Sequence, residues 1–290
     1  MLWLYIALAA YFINAVVFII DKYLLSSPIP RPFAYAFWVA ILSLAVVFLL
    51  PFGVVWVSPL YFIIAFISGA AFFGGLFFLY KSVKLTDVSV AATNAGVLAA
   101  VSTYLLSFFI LKDRLVFSNE VAFILLVIGI FFLGKIKKNI FKYSLMTGLF
   151  FGLSFVLLKW TFNEVNFING IFWTRIGFAG AGILSLIFHG ARKEIAASLQ
   201  NVAKSSKFWF IAGKIAAGAG FLLLYYSIKL GDVSLVSALL GIQFLFIFVL
   251  AIILRNKVPG VTENIRGKVL MNKLLGIGFI VGGFIALFKL

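Results

Sequence analysis

The 290-residue sequence contains no cysteine, one histidine and eight carboxylates, and each scarcity removes a class of chemistry. Without thiols there are no disulfides, iron–sulfur clusters or thiolate metal sites, although this identifies no compartment. The lone His189 offers no metal-binding spacing and reads as loop chemistry or none. There is no nucleophile elbow and no phosphate-cradling glycine loop, so neither an enzyme nor a cofactor is expected. Charged residues make up only 11% of the chain, against about 25% in ordinary soluble domains. Also missing is the polar/apolar alternation over about ten residues that a membrane β-barrel needs. The first apolar run lacks a basic leader and is long enough to span, so no cleavable signal peptide is expected.

What is present is apolar. Hydrophobic residues reach 64%, with 36 Phe and 25 Gly. No soluble fold hides that much apolar surface, so the chain reads as a multi-pass protein of the cell (plasma or inner) membrane, its first partner the bilayer. The net charge of +16 invites a nucleic-acid reading, but the Lys and Arg sit mostly in short segments between apolar runs. That is how cytoplasmic loops place them, and nucleic acid is not an expected partner. A spanning helix needs about 20 mostly apolar residues. Ten such runs occur, at 3–21, 33–52, 57–80, 87–111, 118–135, 143–162, 168–189, 207–228, 232–254 and 270–289. The expected fold is all-α, with ten transmembrane helices.

The sequence also repeats itself. Tyr80 to Ser89 reads YKSVKLTDVS and Tyr225 to Ser234 reads YYSIKLGDVS, identical at seven of ten positions. Phe37-Trp38 in the second run matches Phe172-Trp173 in the seventh, and the fourth and ninth runs close in LKDR and LRNK. Two five-helix repeats follow, residues 1–138 and 139–290. An odd number of spans per repeat makes the second insert inverted.

In this layout the chain resembles the drug/metabolite transporter superfamily, specifically its ten-helix EamA-type members. The resemblance covers nearly the whole chain. Asp113 and Asn256 stand where the family usually has an acid before the fifth helix, and the family's mid-helix prolines in the fourth and ninth helices are absent. The resemblance implies movement of small metabolites, commonly export, through a cavity between the repeats. Small multidrug-resistance relatives use a membrane-embedded Glu in the first helix for proton exchange. Here all eight acids are expected at span ends or in loops, with no carboxylate in the first span before Asp21, so that route is not expected.

Orientation follows from charge. Seventeen of the 24 Lys and Arg fall in or near the first, third, fifth, seventh and ninth connections and five toward the opposite side. The positive-inside rule then places both termini away from the cytoplasm.

Candidate substrate-binding residues are Arg175 and Lys214, cations deep in the seventh and eighth runs, where a charge needs a wet cavity or a partner unless it snorkels. Their counterparts in the first repeat are Ala40 and Gly69. Asn94 and Gln243 supply one mid-span amide to each repeat, on the faces Asp87, Ala91, Asn94, Leu98 and Asp232, Val236, Leu239, Gln243. Ligand contact and interhelical hydrogen bonding are equally open for them. Trp38 and Trp173 suit lipid-facing packing or substrate stacking, and Tyr80 and Tyr225 an interfacial aromatic belt or a gate, the belt being favoured. Lys84 with Asp87, and Lys229 with Asp232, suit pairing or capping at helix junctions. Gly148-x-x-x-Gly152 and Gly278-x-x-x-Gly282 suit close helix crossings, and Asn14 a hydrogen bond between helices. The expected function is alternating-access transport of an anionic or zwitterionic small metabolite, with export favoured, by a monomer or homodimer. The alternative is a translocase of a phosphate-bearing lipid carrier.

Overall fold

The computed structural model describes residues 2–26, 29, 31–86, 88–133, 138–198, 203–254, 258 and 267–289. They form helices joined by short turns, with no strand among them. In order these are α1 (Leu2–Ser26), α2 (Pro32–Leu42) running on as a 3₁₀ stretch to Phe52, α3 (Pro59–Leu85), α4 (Val88–Leu106) ending in a π turn to Leu111, and α5 (Phe117–Leu133). Next come α6 (Lys138–Glu164), α7 (Phe167–Leu184), α8 (His189–Ser198), α9 (Lys204–Leu230), α10 (Val233–Ala238), α11 (Leu240–Leu254) and α12 (Gly267–Lys289). Pro32 and Pro59 open α2 and α3, where the missing N–H costs nothing. Lys112, with φ 58°, ends the π turn in the left-handed region. Asp232 caps α10, its Oδ1 accepting from the N–H groups of Ser234 and Leu235.

Among the described residues, nine helical stretches are long and apolar enough to cross a membrane, α10 and α11 together counting as one. This is an all-α, multi-pass membrane protein. α5, at 17 residues, falls just short of that length. The short α8 lies between the seventh and eighth apolar runs, where only a loop was expected, and His189 is its first residue. It escapes hydropathy because its outer face carries Arg192, Lys193 and Glu194, while Ala191, Ile195 and Ser198 are buried.

The helices interleave. α1 packs chiefly on α9, α3 on α6 and α7, α4 on α6, and α5 on α12. Small residues set these distances. A Cβ at Gly69 would run into the backbone of Thr174 and Phe178, and one at Gly177 into that of Phe66, so α3 and α7 touch backbone to backbone. Gly148 and Gly152 receive Leu98 and Ser102 of α4, as their spacing predicts. Gly278 and Gly282 differ from expectation: a Cβ at either meets nothing within 4 Å. The α5–α12 contact runs instead through Gly276 and Gly283, against Gly129, Leu133, Ala122 and Leu126. A spacing motif states that close approach is possible, and packing decides which face uses it.

Candidate functional site

Three polar constructions lie inside the bundle. The first begins with Asp21. α1 runs five residues beyond its predicted end, which carries Asp21 and Lys22 into the interior, 5% and 7% exposed. Asp21 was expected at a span end. Instead its Oδ1 accepts from Lys214 Nζ of α9 at 2.5 Å and from the Tyr35 hydroxyl of α2 at 2.6 Å, and its Oδ2 from the Tyr80 hydroxyl of α3 at 3.3 Å. Lys214 also reaches Tyr80 Oη at 3.4 Å and lies over the Tyr35 ring. Four helices thus converge on one ion pair, and Lys214 arrives with its charge already matched. Isolating either charge here would cost several kcal/mol, which the pairing and two hydroxyl donors offset.

The second construction surrounds Arg175. Eight residues into α7, roughly 12 Å along its axis, the guanidinium lies among rings of α3, α7 and α9. Rings of Phe72, Phe178, Phe221 and Tyr225 lie 4.9–5.8 Å from its Cζ. The lone ion pair among the described residues is Asp21–Lys214, so no described carboxylate neutralises this cation. Aromatic faces stabilise a guanidinium by about 0.5–2 kcal/mol per good contact but leave its N–H donors available.

The third is a pair of lysine caps. Lys22 Nζ donates to the carbonyls of Val83 and Thr86 at the end of α3, at 2.9 and 2.8 Å. Lys159 Nζ of α6 donates to Ile228, Lys229 and Gly231 at the end of α9, at 3.0, 3.2 and 2.8 Å. A helix end leaves carbonyls without intrahelical partners, and an ammonium there satisfies them and meets the dipole. Lys159 also borders a cavity of about 660 Å³ lined by Asp113, Arg114, Asn119, Asn163 and Asp232, together with Trp3 and Leu287. Asp113 lies in the α4–α5 connection. Partial burial and the neighbouring Asp232 raise its pKa, and Lys159 opposes the rise.

The other candidates divide. Asn94 and Gln243 are buried in α4 and α11, and Tyr80 and Tyr225 are buried rather than forming the expected belt. Tyr80 hydrogen-bonds Asp21, and Tyr225 presents its ring to Arg175. Trp38 donates its indole N–H to Ser198 of α8, and Trp173 to the Val55 carbonyl, so both hold neighbouring chain in place. Asn14 packs where α1 crosses Gly220 of α9. Lys229 lies over the Phe167 ring instead of pairing with Asp232, while Asp87 and Asn256 lie outside the described residues. Sequence reasoning missed Asp21, Tyr35 and the two capping lysines. The depth of Lys214 and the recurrence of Tyr80 and Tyr225 were the signals pointing there.

No protein-family profile and no curated protein matches the chain. It superposes on a solved structure described only as "Crystal structure of protein", with a TM-score of 0.66, covering 97% of this chain and 94% of that one at 16% identity. Such a likeness shows a shared fold and nothing more.

Proposed function

We propose that the chain is a secondary transporter of the ten-helix drug/metabolite type, built from two inverted five-helix repeats with α5 as its tenth span. It moves a small anionic or zwitterionic metabolite by alternating access. The observation that carries this reading is Arg175, a guanidinium at mid-span with aromatic walls and no described carboxylate. Aromatic walls beside one well-placed charge are a common way to build a small-molecule site. Its planar fork suits a carboxylate or phosphate, and the rings suit an apolar body. The two lysine caps support the repeat: Val83 and Thr86 stand 145 residues before Ile228 and Gly231, and a lysine of α1 or α6 holds each pair.

Purified protein screened by thermal shift against anionic metabolites identifies a ligand. Uptake and melting temperature are then measured on Arg175→Lys and Arg175→Gln. Both variants keep the fold; Arg175→Lys transports less, and Arg175→Gln loses affinity by about 2–5 kcal/mol. Wild-type uptake by Arg175→Gln removes Arg175 from the site. A C-terminal reporter that fluoresces only in the cytoplasm stays dark if the charge bias sets the orientation.

The translocase reading draws on α7 and α9, which pack sparsely on each other, with partly buried Arg175 of α7 against Phe221 and Tyr225 of α9. Competition by a lipid-linked phosphate, but not by soluble anions, would favour it.

A further inference from the structure

α8 takes no part in the Arg175 reading, yet it is firmly placed. Its inner face is tied to α2: Ile195 clusters with Ala34 and Phe37, and Trp38 donates to Ser198 Oγ at 3.1 Å. Arg31 Nη1, just before α2, donates to the Glu194 carbonyl at 3.4 Å. A ten-residue helix is marginal alone, so this packing is what holds it. Its outer face is exposed and basic, with Arg192 and Lys193, and α9 opens with Lys204 and Lys207, also exposed. From Ser185 to Ile211 the sequence carries these four cations, one histidine and a single carboxylate, Glu194.

Apolar neighbours fix the depth of this patch. Phe188 is 70% exposed and stands one turn before Arg192, whose N–H donates to its carbonyl at 3.2 Å. On α9, Phe208 (65% exposed) follows Lys204 by four residues, and exposed Ile211 follows Lys207 by four, so each shares its lysine's face. Trp209 is exposed beside them. Large exposed apolar side chains of a membrane protein belong in the acyl region, and a tryptophan at its edge. Four residues of helix rise about 6 Å. The cations therefore lie within about one turn of the acyl boundary, at headgroup depth, and on helices instead of a free loop.

We propose that α8 and the first turn of α9 form a surface that binds anionic phospholipid. Arg192 and Lys193 on α8, and Lys204 and Lys207 on α9, meet the phosphate headgroups. Phe188, Phe208 and Trp209 lie along the acyl chains. Charge complementarity selects the occupant: four exposed cations against one carboxylate attract an anionic headgroup, whereas a zwitterionic headgroup brings its own cation.

Native mass spectrometry of the full chain in nonionic detergent, titrated with dioleoyl phosphatidylglycerol or dioleoyl phosphatidylcholine, tests this. Phosphatidylglycerol should bind more tightly. R192Q/K193Q and K204Q/K207Q should each weaken its binding by about fivefold or more and leave phosphatidylcholine binding unchanged. If the α8 pair does not fold, the α9 pair carries the test. K81Q/K142Q, which removes two cations on α3 and α6, should leave the affinity as it was. Equal binding of the two lipids, or an equal loss in K81Q/K142Q, overturns the proposal. So does displacement of phosphatidylglycerol by sn-glycerol 3-phosphate, which would mark a site for free phosphate. Arg175→Gln should bind phosphatidylglycerol as before; loss of binding there would assign the lipid to Arg175 and overturn the α8 surface. No transported substrate is used, so the result is independent of the transporter reading.

Discussion

α3 and α9 are 27-residue helices that end in the similar hexapeptides YKSVKL and YYSIKL, and each is capped by a lysine, from α1 and α6 respectively. Their surroundings differ. α3 is wedged among α2, α6 and α7, with Gly69 against the α7 backbone. α9 leans on α1 and presents Ile211, Ile215 and Leu222 outward, with Lys214 at the position equivalent to Gly69. A glycine lets two backbones meet, and a lysine with a buried counter-ion cannot. α3 is therefore a sealed contact against α7, whereas α9 rests mainly on α1.

The comparison is broken most severely at its charges. Lys214→Met strands the Asp21 carboxylate and should cost about 3–5 kcal/mol, read as a fall in melting temperature in detergent. Arg175→Met strands no described carboxylate and should cost less than about 1.5 kcal/mol. Equal losses would mean that the two cations do the same job.

Next comes steric closure. Gly69→Ala drives a methyl into the α7 backbone and should cost about 1–3 kcal/mol, whereas Gly218→Ala on α9 meets open space and should change stability by less than about 0.5 kcal/mol. Thermal unfolding of the two variants side by side tests whether α3–α7 is the sealed contact.

Lys22→Met and Lys159→Met should each cost on the order of 1–3 kcal/mol, with Lys22 the larger because its cap is fully buried. A reversed order, seen in the same melting assay, would place the firmer cap on α9.

The smallest effect concerns pH. Asp113 has a raised pKa, so the folded state disfavours its ionised form, and stability falls as pH rises through the interval between the unfolded and folded values. Asp113→Asn should therefore be neutral or stabilising by a few tenths of a kcal/mol at pH 7. Chemical unfolding at two pH values checks the sign.

Much of this was legible in the sequence. Hydropathy located the spanning stretches within a few residues, and the repeated decapeptide marked the ends of α3 and α9. Arg175 and Lys214 were visible as charges too deep to be loops. What stayed hidden depended on partners distant along the chain. Asp21 and Lys22 look like the charges that end a helix, because hydropathy counts a carboxylate the same whether or not a lysine 193 residues away neutralises it. The capping lysines were hidden similarly, since their acceptors are backbone carbonyls, which no sequence distinguishes. Gly278-x-x-x-Gly282 misled for the converse reason: the motif is local and its partner is not.

The distance between Asp21 and Lys214 in sequence also bears on how the protein is made. α1 is synthesised long before α9, so Asp21 must wait through most of the chain for its counter-ion. Lys22 waits for a shorter time, until the end of α3 is available to it. During that interval a carboxylate near the end of a helix holds α1 toward the headgroup region, where water can reach it. The ion pair that completes the Asp21 site can therefore form only after α9 has been made, although Tyr35 and Tyr80 are in place earlier.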